Sequence, residues 1–447
     1  VANGVSSALF FCFYLLIVRE GKRVCFMGIN SGDTAWIIVA TALVLIMTPG
    51  LAFFYGGMVR QKNVLNTMMM SYGTIGLAIV MWVLIGYSIS FGPDIAGLFG
   101  SLDWLGLNGV GQEASATYAT TIPHMLFAAF QMMFAVITPA LITGALAERI
   151  KFGPLLLFVG LWSIIVYYPL AHMQWSATAG ADGNLIFGLL GNLGAIDFAG
   201  GNVVHISSGV SGLVACILLG KRKNHQSIVP HNIPYVLIGA ALLLFGWIGF
   251  NAGSAVAANG LAAHALVTTV TSAAMAMLSW MLVETLVSKK PTALGAATGI
   301  VVGLVAITPA AGFVPVWASI VIGLVVSPLC WMGVSLLKRK LGYDDALDAF
   351  GCHGIGGIWG GIATGLFATT AVNSAVPSEG LFFGGGLLGP QCLAILITMA
   401  LAAVGTFIIF KVISMFMKVR VDDASETIGL DQTEHGEAAY PSSTEVA

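Results

Sequence analysis

From residue 33 onward the chain alternates long apolar runs with short polar breaks. The runs fall at roughly 33–56, 65–91, 120–146, 152–173, 201–219, 233–254, 261–287, 293–309, 315–337, 349–369 and 389–418. Helices of that length, rising 1.5 Å per residue, cross about 30 Å of hydrocarbon, and the longer ones do so with tilt. Glycine is frequent inside the runs, most densely from His353 to Gly365. Such a stretch makes a poor helix in water but a good one where helix backbones must approach closely in a bilayer. The pattern predicts an all-α integral membrane protein with eleven transmembrane helices.

The polar breaks orient the helices. Arg60/Lys62, Arg149/Lys151, Lys221-Arg222-Lys223, Lys289-Lys290, Lys338-Arg339-Lys340 and Lys418/Arg420 follow spans 1, 3, 5, 7, 9 and 11. The alternate connections hold no lysine or arginine, only acids such as Asp94, Asp103, Glu113, Asp182, Asp197 and Glu379. By the positive-inside rule the start of span 1 lies outside and the C-terminus is cytoplasmic, in a multi-pass protein of the cell membrane. Composition agrees: 57% of the residues are hydrophobic and 9% charged, far below the quarter a soluble domain carries. A net charge of -2, without a basic patch, argues against nucleic acid as a partner. Six cysteines show no metal-ligand spacing and read as small buried hydrophobes; Cys352 stands out only because it adjoins His353.

Residues 1–32 depart from the pattern as an atypical N-terminal extension. Val5–Val18 is short for a span, and Arg19, Lys22 and Arg23 after it would break the charge rule. It lacks the leading charge and small-residue cleavage site of a signal sequence. Met27 reads as a more natural beginning. The rest divides into a first half at 33–219 (spans 1–5), a second at 220–385 (spans 6–10), span 11 at 386–419 and a cytoplasmic regulatory tail at 420–447. Opposite orientations of two five-span halves predict an inverted 5+5 repeat with one peripheral long helix. Pro49-Gly-Leu-Ala-Phe-Phe-Tyr-Gly56 and Gly246-Trp-Ile-Gly-Phe-Asn-Ala-Gly253 fall at matching places in spans 1 and 6.

The repeat also matches two histidines. His205 follows Asp197 by eight residues, and His353 follows Asp345 by eight. An imidazole at membrane depth is costly unless it is paired or lines a cavity. Neutral imidazoles can pass hydrogen bonds along a file without a permanent charge, or they can merely cross-link helices. Haem or zinc ligation lacks a third ligand, so no cofactor is predicted. Phe130 and Phe134 share one face of span 3, Trp175 follows span 4, and Phe250 and Ser254 close span 6. An aromatic face attracts a small cation and a hydroxyl accepts its hydrogen bond, though each residue also suits ordinary packing. Asp197 can cap the N-terminus of span 5 or attract a cation; Asp345 and Asp348 hold the mirror position.

These residues carry a resemblance to the ammonium transporter family (Amt/Mep/Rh), Amt branch, covering residues 33 to about 437. The motifs are Asp197-Phe-Ala-Gly-Gly…His205, Gly249-Phe-Asn-Ala-Gly-Ser254, Asp345…Phe-Gly-Cys-His353-Gly, Gly144-Ala-Leu-Ala-Glu-Arg149, Pro230-His-Asn-Ile-Pro234 and Gly429-Leu-Asp…Glu434-His-Gly-Glu437. The resemblance implies a homotrimer in which each subunit holds its own narrow apolar pore. It implies that His205 and His353 are the pore pair and that Phe134 and Phe250 close the outer entrance. It further implies an external ammonium site of Trp175, Ser254 and Phe130, and a structural role for Asp197. Asn251 and Asp348 fall on family motif positions. The tail resembles one that couples subunits and meets P-II signalling proteins. The implied function is recruitment of NH4+ outside, deprotonation and conduction of NH3, with the proton translocated separately; the protein is not an enzyme. The alternative is an ammonium sensor that signals through its tail.

Overall fold

The computed structural model describes residues 28–179, 185–223 and 229–440. Residues 1–27 of the N-terminal extension and 441–447 of the tail lie outside them. Nine described helices are long and apolar enough to cross a membrane. They are α1 (Ser31–Met58), α2 (Gln61–Phe91), α3 (His124–Leu146), α4 (Phe152–Trp175), α5 (Gly201–Leu219), α6 (Ile233–Gly253), α7 (Gly260–Ser288), α9 (Val316–Leu341) and α11 (Leu388–Phe416). Two shorter apolar helices lie among them: α8 (Ala293–Ile307), and α10, a π-turn Phe350–Gly354 running into helix Ile355–Phe367. The protein is therefore an all-α, multi-span membrane protein. Among the described residues three two-stranded sheets decorate the connections, which the apolar pattern had no means of indicating.

Local chemistry sets the helix starts. Asn30, Asn232, Asn259 and Thr292 each cap a helix by accepting backbone N–H bonds, from Asp33, Tyr235, Leu261 and Ala262, and Gly295 respectively. Pro234 in the first turn of α6 occupies a position whose N–H needs no helical partner. Proline within α1, α3 and α9 is tolerated because neighbouring helices shelter the freed carbonyls. Tertiary packing then decides who meets whom. Helices α1 and α6 cross through glycine: a Cβ on Gly50 or Gly57 would strike Leu242 or Asn232, and one on Gly239 the backbone at Phe54. The helices run antiparallel, so the 49–56 segment meets residues near Gly239 while the matching 246–253 segment meets Ala40, Leu43 and Met47. Two sets of π-turns hold matching places in the halves, Ser163–Tyr167 in α4 with Gly333–Leu337 in α9, and Gly201–Ile206 in α5 with Phe350–Gly354 in α10, while Trp82–Gly86 in α2 has no counterpart in α7. That correspondence is consistent with an inverted repeat.

On the face that carries the basic connections, charge is buried in a network that the sequence had shown only as orientation signals. Glu148 accepts from Arg60 Nε at 2.9 Å, Asn63 Nδ2 at 2.9 Å and Arg222 Nη1 at 2.9 Å. Arg222 also grips Asp344 through Nη2 at 2.8 Å and Nε at 2.9 Å. Burial alone would raise the Glu148 carboxyl, but Arg222 and Arg60 outweigh it and hold the group below its ordinary value of 4.5. A carboxyl depressed in the folded state contributes stability above its unfolded pKa and loses it as pH falls through the folded one. Thermal midpoints should therefore drop for the wild type below about pH 4.5. Glu148→Gln should be less stable at neutral pH, by about 3–5 kcal/mol for a broken buried pair, with a flatter acid limb. A pH-resolved melting series checks both.

The tail closes this face. Val421 donates to Arg149 O at 3.0 Å, Leu430 to Asn63 Oδ1 at 2.8 Å, and Asp431 accepts from Asn66 N at 2.8 Å. Glu434 caps the start of α4 at Phe152 N, 2.9 Å away. The Gly429–Glu437 segment is thus seated on the connections of its own chain.

Candidate functional site

Two aspartates anchor the site from opposite ends. Both oxygens of Asp197 are committed to the start of α5, taking N–H bonds from Gly200 (2.8 Å), Gly201 (2.6 Å), Asn202 (2.7 Å) and Val203 (3.4 Å). Gly200 makes the turn possible, since its φ of 117° suits no side chain. Asp345 repeats the device at α10, accepting from Ala349 N at 3.1 Å and Phe350 N at 2.7 Å. Burial and the neighbouring Asp348 push its carboxyl up to about 6. Each capped segment is a π-turn, and each π-turn carries one histidine: Gly201–Ile206 bears His205 and Phe350–Gly354 bears His353. The eight-residue interval therefore has a structural cause.

The turns bring the rings together. His205 Nδ1 and His353 Nδ1 are 3.4 Å apart, with the rings nearly parallel at 23°. One nitrogen must donate and the other accept, which fixes opposite tautomers on the two rings. Among the described residues, His205 Nε2 has no protein partner although it is buried. Gly357 packs against the His205 Cβ and Ile206, so the glycine run after His353 is what lets α5 and α10 close. The two rings line a small cavity of about 10 Å³ with Leu51, Val204, Trp247 and Val301. It has room for one water-sized molecule at most and is otherwise apolar.

Above the histidines stand the aromatics. Phe250 lies 6.1 Å from the His205 ring, and Phe134 stacks on Phe250 at 4.3 Å. Both are fully buried, which closes the path. Beyond them a cavity of about 170 Å³ opens toward the face opposite the basic one. Trp175, Ser254 and Phe134 line it. The indole of Trp175 is fixed by its N–H to Asp197 O at 2.9 Å, and Ser254 Oγ donates to Phe250 O at 2.8 Å. The hydroxyl oxygen can therefore accept from a guest.

Three further residues named from the sequence line neither cavity. Phe130 does not line this cavity: it stands behind Phe134, edge-on at 5.1 Å, against Gly253, where a Cβ would collide with it. Asn251 lies in neither cavity and ties α6 to α7 through Thr269 at 2.9 Å. Asp348 forms an ion pair with Lys338 at 2.7 Å, so Asp345 is the closer mirror of Asp197. Conversely, Gln131, Phe127 and Tyr118 do line the cavity and were not singled out. A glutamine within an apolar span was the available signal for Gln131. Among the described residues no group of three His, Cys, Asp or Glu could hold a metal ion.

A membrane bundle whose two histidines meet in a closed, narrow apolar path belongs to the class of proteins that pass small solutes. The chain belongs to the ammonium transporter family, in its Amt branch: the model of that family matches residues 35–440. It is 53% identical to an ammonium transporter of Bacillus subtilis, over 93% of this chain and all of that one. It is 45% identical to ammonium transporter Amt1 of Archaeoglobus fulgidus, over 92% of this chain and all of that one. The fold is similar to the crystal structure of Saccharomyces cerevisiae Mep2, with a TM-score of 0.83, 34% identity and 93% of each chain covered.

Proposed function

We propose that this chain is an ammonium transporter that recruits NH4+ at the cavity bounded by Trp175 and Ser254 and passes NH3 between Phe134 and Phe250. The observation that carries the reading is the Nδ1–Nδ1 histidine pair in a cavity walled by aliphatic and aromatic side chains. An intact ammonium ion has no carbonyl or carboxylate lining there to replace its hydration, and stripping that shell costs several kcal/mol or more. Neutral NH3 needs only a hydrogen-bond partner. The released proton travels separately over the histidines, which exchange donor and acceptor roles as it moves. Potassium, with no proton to lose, is excluded by the same logic.

The charge alternation and family membership support eleven spans, start of span 1 outside and tail in the cytoplasm, arranged as 5+5 plus α11. Of the two shorter spans, α8 has 15 residues, and α10 reaches spanning length only with its π-turn, from Phe350 to Phe367. Family membership likewise supports a homotrimer with a pore in each subunit, and a P-II type protein meeting the basic face near the seated tail.

Purified protein in liposomes should take up methylammonium and carry current on ammonium addition; binding without flux would return the reading to a sensor. Trp175→Ala and Ser254→Ala should each raise the half-maximal ammonium concentration about threefold or more, the loss of one weak cation contact. Unchanged concentration dependence in both would remove the recruitment role from this cavity.

A further inference from the structure

His172 stands in the last turn of α4, three residues before Trp175, and is fully buried. Both of its ring nitrogens face acceptors: Nδ1 lies 3.2 Å from Ser90 O at the end of α2, and Nε2 lies 2.8 Å from Asp94 Oδ1. A carbonyl oxygen only accepts, so Nδ1 carries a hydrogen. A second proton must then lie between Nε2 and the carboxylate, or two lone pairs would face each other. Asp94 also holds the turn between the paired strands Asp94–Ile95 and Phe99–Gly100, accepting from Gly97 N at 2.9 and 3.1 Å. Its own N–H donates to Thr178 Oγ1 at 3.1 Å, and Gly97 O accepts from Leu189 N at 2.8 Å. The His172–Asp94 pair therefore joins the end of α2, this strand pair, the last turn of α4 and the strands Ala177–Ala179 and Leu185–Phe187. Those elements supply Phe91, Trp175, Ala177 and Phe187 to the wall of the cavity of about 170 Å³. Of the titratable groups packed nearby among the described residues, only Asp94 touches the ring. Tyr87 bonds His124 Nε2, Tyr118 shares its hydroxyl proton between Phe91 O and Ala177 O, Tyr168 packs on Trp82, and Asp103 is exposed.

We propose that His172 and Asp94 are positioning residues for ammonium recruitment, and that the one proton they share clamps the Trp175 wall of the cavity in place. The Asp94 side chain is 18% exposed while His172 is sealed, so this proton exchanges with the outer solution through the carboxylate. When an alkaline outer solution removes it, Nε2 and Oδ1 repel, the clamp slackens and recruitment weakens. A pair that merely attracted cations would respond with the opposite sign. Losing the proton leaves the carboxylate uncompensated, and that charge would draw ammonium more strongly. The role in recruitment rests on that cavity being the entry site; the clamp itself does not.

Methylammonium uptake by intact cells expressing the full chain tests it, read against the outer concentration of the cation over a series of outer pH. His172→Gln and Asp94→Asn should each raise the half-maximal concentration about threefold and keep the maximal rate, at the low end of one hydrogen bond's worth. Both break the same contact, so the double variant should be no worse than the worse single. The wild-type half-maximal concentration should rise with outer pH, and that of His172→Gln should stay flat. A lowered half-maximal concentration in His172→Gln, a pH slope there equal to the wild type, or an equal rise in Asp103→Asn overturns the proposal. Hydrogen exchange of the purified protein, read by mass spectrometry, needs no transport and should be faster over residues 95–100 and 176–178 in both single variants. Unchanged exchange overturns the clamp. Trp175→Ala separates the two failures. A shift there without one in the His172 and Asp94 variants overturns the pair and keeps the cavity; no shift there overturns recruitment at the cavity, and the pair's part in it, whatever the exchange shows.

Discussion

Replacing His205 or His353 by alanine should suppress electrogenic ammonium current by about a hundredfold, the low end of what a positioned proton-transfer group contributes. The two rings share one Nδ1–Nδ1 contact, so either loss breaks the file, and the double variant should be little worse than the singles. The bundle should persist, because Asp197 and Asp345 cap the π-turns through backbone N–H groups that do not involve the imidazoles. Each variant also widens a cavity that has room for one water at most. Residual flux should then be neutral NH3, or should admit K+. Aspartate or glutamate at either position supplies another titratable group and should restore part of the current. Solid-supported membrane recordings on liposomes, alongside pH-jump assays for NH3, separate these outcomes. Wild-type current in a folded double-alanine variant would reduce the pair to a cross-link between α5 and α10.

Asp197→Ala should be the most damaging single change outside the pore itself. It strips the acceptor from four buried N–H groups, each costing about 1–3 kcal/mol when left without a partner, before relaxation recovers some of it. The π-turn from Gly201 would loosen, moving His205, and the Trp175 indole would lose a well-placed carbonyl at residue 197. Melting should fall sharply and transport should vanish. Asp197→Asn separates two roles: an amide keeps one acceptor oxygen but carries no charge. If the residue positions α5, Asp197→Asn should lower the maximal rate and leave the half-maximal concentration nearly unchanged. A large rise in that concentration with an intact rate would instead mark Asp197 as a cation attractor.

Much of this was legible before any coordinates. Span positions and their alternation follow from bulk hydropathy and from lysine and arginine placement, because the bilayer forces every backbone polar group into a helix and charge into the connections. The paired Asp–His intervals were visible because the device is local: an acid, a left-handed turn residue (Gly200 in one, Asp348 in the other) and a histidine within nine residues of chain. Motif resemblance likewise named Trp175, Ser254, Phe134 and Phe250, which do stand between one mouth and the histidines.

The remainder depended on tertiary structure. Helical spacing put Phe130 and Phe134 on one face of α3, but it could not say that Gly253 opens a slot for the first and so turns it from a lining residue into a buttress. Sequence showed Glu148, Arg149, Arg222 and Asp344 as charges at the ends of spans; only packing made them one buried network beneath the bundle. The tail's acidity was plain, yet its seat on Asn63, Asn66 and the start of α4 joins residues more than two hundred and eighty positions apart. The hydrocarbon layer acts on each segment by its own composition, so it can be read one stretch at a time. Which side chains meet across the chain is decided by close packing and by the pairing of buried charge, and neither is a property of any one segment.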